Sequence, residues 1–239
     1  MKLRLLTWDV KDTLVRLQCS VGEQYSAVAK SFGIQLDPKV LENSFHKAYR
    51  TQSKLFPNYG LDKGLGSQQW WADVVKQTFR HCGINEDCAL SSIAEHLYRD
   101  YSMMKNWEVL PGVQETLYQC RQLGLRLAVI SNFDRRLNQV LEHCKLGHHF
   151  EFILTSEMAG VAKPDVRIFQ KALFMAKVMP QHSAHIGDNY INDYLGARDA
   201  GMQSYLIQQD GYHDSYERHV PKKHILQSPC HVLTILERA

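Results

Sequence analysis

The chain has 239 residues, with 28 Lys and Arg against 25 Asp and Glu, a formal net charge of +3, 44% hydrophobic residues and 22% charged residues. That is the ordinary globular balance, which excludes wholesale disorder and collagen-like or fibrous architecture, and the length suits one large domain or a core plus a smaller module. The basic residues alternate with acidic ones and form no dense cationic stripe, so nucleic acid is not an expected partner; the most basic stretch, Lys222-Lys223-His224, reads as a solvated loop.

In chain order, Leu3 to Trp8 is a short apolar and aromatic run ending at Asp9, the pattern of a buried strand that delivers a carboxylate at its C-terminal edge. No apolar run approaches the roughly 20 residues that span a bilayer, and Met1-Lys2-Leu3-Arg4 leads into this strand instead of a signal-peptide core, so no membrane association is expected and cytoplasm or nucleus is the simple reading. From about Val21 to Tyr101 the period is helical. Tyr25, Val28, Ala29 and Phe32 share a face, as do Val40, Leu41, Phe45 and Tyr49, then Trp70, Trp71, Val74, Val75 and Phe79, then Leu90, Ile93, Ala94, Leu97 and Tyr101. Four helices without an intervening strand indicate an inserted bundle, and Phe56 to Gly60 and Trp70-Trp71 read as its packing.

After Pro111-Gly112 strand and helix alternate. A helix runs through Cys120, followed by strand Leu125 to Ile130, helix Arg136 to Cys144, strand Phe152 to Thr155 and helix Val166 to Lys177. Strand Ala184 to Ile186, helix Tyr190 to Ala200 and strand Gln203 to Ile207 complete the series. This is an α/β chain with a doubly wound parallel sheet, whose ligands bind beyond the carboxyl ends of the strands at a topological switch point. The six cysteines form no CxxC pair and read as free thiols of a reducing compartment, and His143-Cys144 with His148-His149 matches no standard zinc spacing.

The chemistry-bearing residues stand at the strand ends. Strand one ends Thr7-Trp8-Asp9-Val10-Lys11-Asp12-Thr13, a later one Val129-Ile130-Ser131-Asn132. Ala162-Lys163-Pro164 follows, and then His185-Ile186-Gly187-Asp188 with Asp193 beyond it. Parallel strands gather these tips at one edge. Such a set suits phosphoryl transfer: Asp9 can attack phosphorus, a cation on Asp9 and Asp188 offsets anion repulsion, and Ser131, Lys163 and Thr13 supply donors to phosphate oxygens.

In order and spacing these four segments resemble the four motifs of the haloacid dehalogenase-like hydrolase family, and the resemblance covers nearly the whole chain. It implies a Rossmann-like core from residues 1–16 and 106–239 with a substrate-selecting helical cap from 17–105. It also implies a Mg2+ cofactor held by Asp9, the Lys11 backbone carbonyl, Asp188 and Asp193, with phosphate contacts from Thr13, Ser131, Asn132 and Lys163. The expected activity is hydrolysis of a small phosphorylated molecule through an aspartyl-phosphate on Asp9. The alternative is an inactive member that binds a phosphorylated ligand or a protein partner. A metal-free dehalogenase ranks below both, because Gly187-Asp188 through Asp193 matches the metal-binding form of the last motif.

Two adjacent positions depart from the family. Its first motif reads Asp-x-Asp-Gly-Thr, the second aspartate being the general acid and base. Here Lys11 stands in that place and Asp12 in the glycine place. Several roles for Lys11 are open: its ammonium inside the Asp9, Asp188 and Asp193 cluster as a built-in counter-ion, a general acid toward the leaving oxygen, or an outward-facing side chain. In a further reading Asp12 takes the missing role through an altered turn.

Overall fold

The computed structural model describes residues 2–208 and 219–236. Among them the strands are, in chain order, β1 (Leu5–Trp8), β2 (Val15–Leu17), β3 (Trp107–Val109), β4 (Arg126–Ser131), β5 (Phe152–Thr155), β6 (Ser183–Gly187), β7 (Gln203–Ile207) and β8 (Ile225–Leu226). Six of them make one parallel sheet in the order β5-β4-β1-β6-β7-β8, while β2 and β3 pair as a separate ribbon. All four residues of β1 are buried, which is why its sequence is apolar on both faces except at Thr7 instead of alternating. Leu5, Ala128, Ile130 and Leu154 share a core with Ile168, Phe169 and Ala172 of α8 (Val166–Ala176).

The chain builds β4 and β5 on one side of β1 and then crosses to β6, β7 and β8 on the other. The reversal at β1 opens a crevice at the carboxyl ends of β4, β1 and β6, the usual ligand position in an open parallel sheet. The remaining α-helices after β3 are α5 (Val113–Gln122), α6 (Leu137–His143), α7 (Ser156–Ala159), α9 (Gly196–Asp199) and α10 (Val232–Leu236). Where the sequence predicts one helix over Tyr190 to Ala200, a wide π-helical turn at Tyr190–Leu195 precedes α9. The wider turn sets Asp193 where its carboxylate accepts the Asn189 N–H at 3.0 Å.

The chain divides into two compact units, Met1–Arg16 with Glu108–Asp134 and Leu141–Ala239, and Leu17–Trp107 with Arg135–Val140. The second contains α1 (Val21–Ser31), α2 (Pro38–Leu55), α3 (Ser67–His81) and α4 (Asp87–Asp100). Ser20 and Glu23 form a capping box at α1, and Asp37 caps α2 with Pro38 in its first turn. Tyr25, Phe45, Trp70, Phe79, Leu90 and Ile93 centre the core of this unit. Phe32, Val40 and Tyr49, placed on apolar faces by periodicity, remain exposed because the apolar stripe of each helix is wider than the face its neighbours cover. The Phe56 to Gly60 segment is a packed interhelical loop: Trp70 Nε1 donates to the Phe56 carbonyl at 2.8 Å, and the Tyr59 ring meets Trp70 at 5.5 Å. Arg135–Val140 groups with this unit because the Arg136 guanidinium lies 3.9 Å from the Tyr98 ring centroid and donates to the Tyr98 carbonyl at 2.8 Å.

Candidate active site

Asp9 follows β1 directly, and its N–H continues the ladder by donating to the Ile186 carbonyl at 2.8 Å. Gly187 ends the neighbouring strand, and a Cβ there would stand 2.3 Å from Asp193 Cγ. Only glycine therefore leaves room for the Asp193 carboxylate beside Asp9. Together with Asp188, these two present carboxylate oxygens that all lie within 4.8 Å of one another.

Lys163 enters this cluster from the loop before α8. Its ammonium donates to Asp9 Oδ1 at 2.7 Å, Asp193 Oδ1 at 2.6 Å and the Ile130 carbonyl at 2.8 Å, so three protons meet three acceptors. Asn132 holds the backbone of Lys163 in place, accepting its N–H at 2.7 Å and donating to its carbonyl at 2.9 Å. Ser131 is buried at the end of β4. Thr13 donates its hydroxyl to Asp188 Oδ1 at 3.1 Å. Asn132 thus sits as a clamp on Lys163, and Thr13 and Lys163 contact carboxylates of the cluster.

Two participants escape the motif reading. His185 is fully buried in β6, with Nε2 at 3.1 Å from Asp193 Oδ1 and Nδ1 at 2.8 Å from the Thr7 hydroxyl. Thr7 pairs with His185 in the sheet register, and the Phe169 ring closes over the imidazole at 5.2 Å, edge to face. A signal existed: Thr7 and His185 are polar residues inside otherwise apolar strands, and buried polar side chains require partners.

Burial raises the Asp9 pKa, with Lys163 opposing and Asp193 adding to the shift. Burial, with Asp9 and Asp193 nearby, pushes Asp188 up to about 7. Asp193 goes the other way: burial opposes its ionisation, but Lys163 and the His185 hydrogen bond outweigh burial and hold the carboxyl well below the usual range. For Lys163 burial disfavours the charge, yet Asp193 and Asp9 more than compensate and its pKa rises. Burial lowers the His185 pKa against its hydrogen bond to the Asp193 carboxylate. The cluster thus carries one internal cation among three carboxylates, and the repulsion it leaves uncompensated is relieved by Asp188 holding its proton to about pH 7.

Lys11 does not occupy the counter-ion place. Its ammonium pairs with the Asp12 carboxylate, the two side chains being 50% and 41% exposed, and Lys163 fills the position between carboxylates. Burial would lower the Lys11 pKa, but the hydrogen bond and charge of Asp12, with smaller contributions from the charges of Asp188 and Asp9, raise it. Asp12 has φ +61°, a left-handed backbone that favours glycine and that aspartate tolerates better than most residues. The turn therefore keeps its shape without glycine, and Asp12 N still reaches the Val15 carbonyl at 2.7 Å. Among the described residues His143, Cys144, His148 and His149 form no metal-sized cluster.

A model of the haloacid dehalogenase-like hydrolases matches residues 3–201. The chain belongs to that family. It is 52% identical over 229 residues to haloacid dehalogenase-like hydrolase domain-containing protein 3 of Xenopus laevis, covering 96% of this chain and 93% of that protein. Its fold is similar to that of the family hydrolase YfnB of Bacillus subtilis, solved bound to magnesium, with TM-score 0.75 at 16% identity over 99% of this chain and 100% of that one. It is similar too to a 2-haloacid dehalogenase of Pseudomonas syringae, with TM-score 0.69 at 21% identity over 99% of each chain. Neighbours with such different names mean that the haloacid dehalogenase-like fold leaves the reaction to be argued from the site.

Proposed function

We propose that the chain hydrolyses small phosphomonoesters with Mg2+ as cofactor, slowly, through an aspartyl-phosphate on Asp9. The observation that carries this reading is the ion-paired placement of Asp9: Oδ1 accepts from Lys163, which leaves Oδ2 as the attacking oxygen. Attack by Oδ2 forms the Asp9–phosphorus bond as the phosphorus–oxygen ester bond breaks, the ester oxygen takes the electron pair and a proton from solvent to leave as the alcohol, and water then cleaves the acyl phosphate to release inorganic phosphate and restore the carboxylate.

The cluster suits a hard divalent cation. Its donors are carboxylate oxygens, and the Asp188 carboxyl, pushed up to about 7, lacks the positive charge that a cation supplies. Asp9 and Asp188 would hold the ion, with Asp193 and the Lys11 carbonyl as the further ligands implied by the family motif. The ion when bound offsets charge on the phosphoryl oxygens. Ser131 at the end of β4, Thr13, Asn132 and Lys163 are the proposed phosphate-side residues: Asn132 keeps one amide proton free of Lys163, Thr13 would turn its hydroxyl from Asp188, and Lys163, its three protons already placed, acts through its charge.

Slowness follows from Lys11. An ammonium whose pKa is raised by Asp12 is a poor proton shuttle near neutrality, and losing general acid–base help costs about 10² to 10⁴ in rate. The same ion pair favours the second reading, a member that binds a phosphorylated ligand or protein partner without turnover. Release of p-nitrophenol from p-nitrophenyl phosphate, with and without Mg2+, tests both. Metal-dependent release that disappears in Asp9→Asn is the expected result. Binding of Mg2+ with no release above the Asp9→Asn level selects the second reading.

A further inference from the structure

The Thr7–His185 pair is buried and bonded to Asp193, which supports the reacting carboxylate through Lys163, yet the motif resemblance gives neither residue a role. Proton counting fixes how it is bonded. Asp193 Oδ1 already accepts from the Lys163 ammonium, and an ionised carboxylate donates nothing, so the imidazole nitrogen at 3.1 Å from it must carry a hydrogen. The Thr7 hydroxyl has one proton and two acceptors in reach, His185 Nδ1 at 2.8 Å and the Ala184 carbonyl at 3.2 Å. Giving it to Nδ1 makes the shorter bond and leaves the ring neutral. Giving it to Ala184 would require a hydrogen on Nδ1 as well, which places an imidazolium and an ammonium on the same carboxylate oxygen.

We propose that His185 is a positioning residue for Asp9, held by Thr7 as the neutral Nε2–H tautomer and acting through Asp193 and Lys163. The inference rests on the reading of Asp9 as nucleophile. Asp193 takes Lys163 and His185 on Oδ1 and the Asn189 N–H on Oδ2, so it cannot rotate without breaking one of these bonds. Lys163, anchored at Asp193 and Ile130, in turn fixes which Asp9 oxygen is engaged and which faces the substrate. A neutral donor serves where a cation would not, because it orients Asp193 without competing with Lys163 for its charge.

The test compares wild type, Asp9→Asn, His185→Gln, His185→Asn and Thr7→Val. Glutamine places an amide N–H where Nε2–H was, whereas asparagine is too short to reach Asp193. Two readouts are used: nitrogen-15 NMR of the imidazole in the metal-free protein, and uptake of beryllofluoride on Asp9 in Mg2+-loaded protein followed by fluorine-19 NMR. The expected result is an Nε2–H tautomer in wild type and a mixture in Thr7→Val. Beryllofluoride affinity should fall on the order of tenfold in His185→Asn, the worth of about one hydrogen bond, and return to within about threefold in His185→Gln. An Nδ1–H or doubly protonated ring in wild type overturns the proposal whatever happens at Asp9. Equal affinity in His185→Asn and His185→Gln, with Asp9→Asn abolishing uptake, overturns the proposal and leaves the nucleophile reading standing. Uptake that survives Asp9→Asn, or wild type that takes up none, overturns both.

Discussion

Two Lys–Asp pairs lie in the same site and differ in almost everything but their chemistry. Lys163 is 2% exposed and bridges Asp9 and Asp193, each partner on a different element, while Lys11 is half exposed and pairs with its sequence neighbour Asp12. The inner ammonium has no water to return to, so its partners and their geometry are obligatory. The outer one lies in high dielectric and is worth roughly 0–1 kcal/mol. The comparison teaches that a lysine written into the centre of a motif can belong to the rim, and one from a loop more than 150 residues away in sequence to the centre.

The largest effect that would break this contrast is Lys163→Ala. It leaves two buried carboxylates without their cation and is expected to lower unfolding stability by about 3–5 kcal/mol in urea denaturation at pH 7.5. A loss under about 1 kcal/mol would make the inner pair no different from the outer. Lys11→Asp sharpens the contrast from the other side. Restoring a carboxylate at the acid/base position should raise p-nitrophenyl phosphate hydrolysis by about tenfold or more, and an unchanged rate would show that the rim position does not limit turnover.

Next in size is a pH effect at Asp188. Its folded pKa of about 7 lies above the ordinary value of 3.8, so the folded chain holds a proton that the unfolded chain has released. The associated stability is complete below the ordinary value and is lost as pH rises through 7. Metal-free Asp188→Asn should therefore melt above wild type at pH 8, and the gap should close toward pH 5 in paired thermal scans. A gap that widens toward acid would refute the shift. The smallest effect belongs to Lys11→Ala, with stability changed by less than about 1 kcal/mol and Mg2+ affinity by calorimetry within about threefold of wild type, since Lys163 is the internal counter-ion. A tenfold gain in Mg2+ affinity would return Lys11 to the cluster.

The alternation of apolar runs with helical periods after Pro111 was enough to predict a parallel α/β sheet, and β5 and β7 appear at the predicted residues, because each is a short, mostly apolar run bounded by helical segments. The placement of Asp9, Ser131 and Asp188 at strand ends was equally readable, since a polar residue that ends an apolar run marks an edge. The β2–β3 ribbon and β8 were not, being two or three residues long and too short for a period. Neither was the exposure of Phe32, Val40 and Tyr49, which depends on what the neighbouring helix covers.

By itself, then, the amino-acid sequence determined the fold class and which chemical groups the strand ends carry, because both follow from local pattern and parallel topology. Only the tertiary structure decided which lysine neutralises the carboxylates, that Lys11 turns to Asp12, and that Thr7 and His185 stand behind Asp193. These are contacts between residues far apart in the chain, selected by burial and by the need of each buried proton for an acceptor.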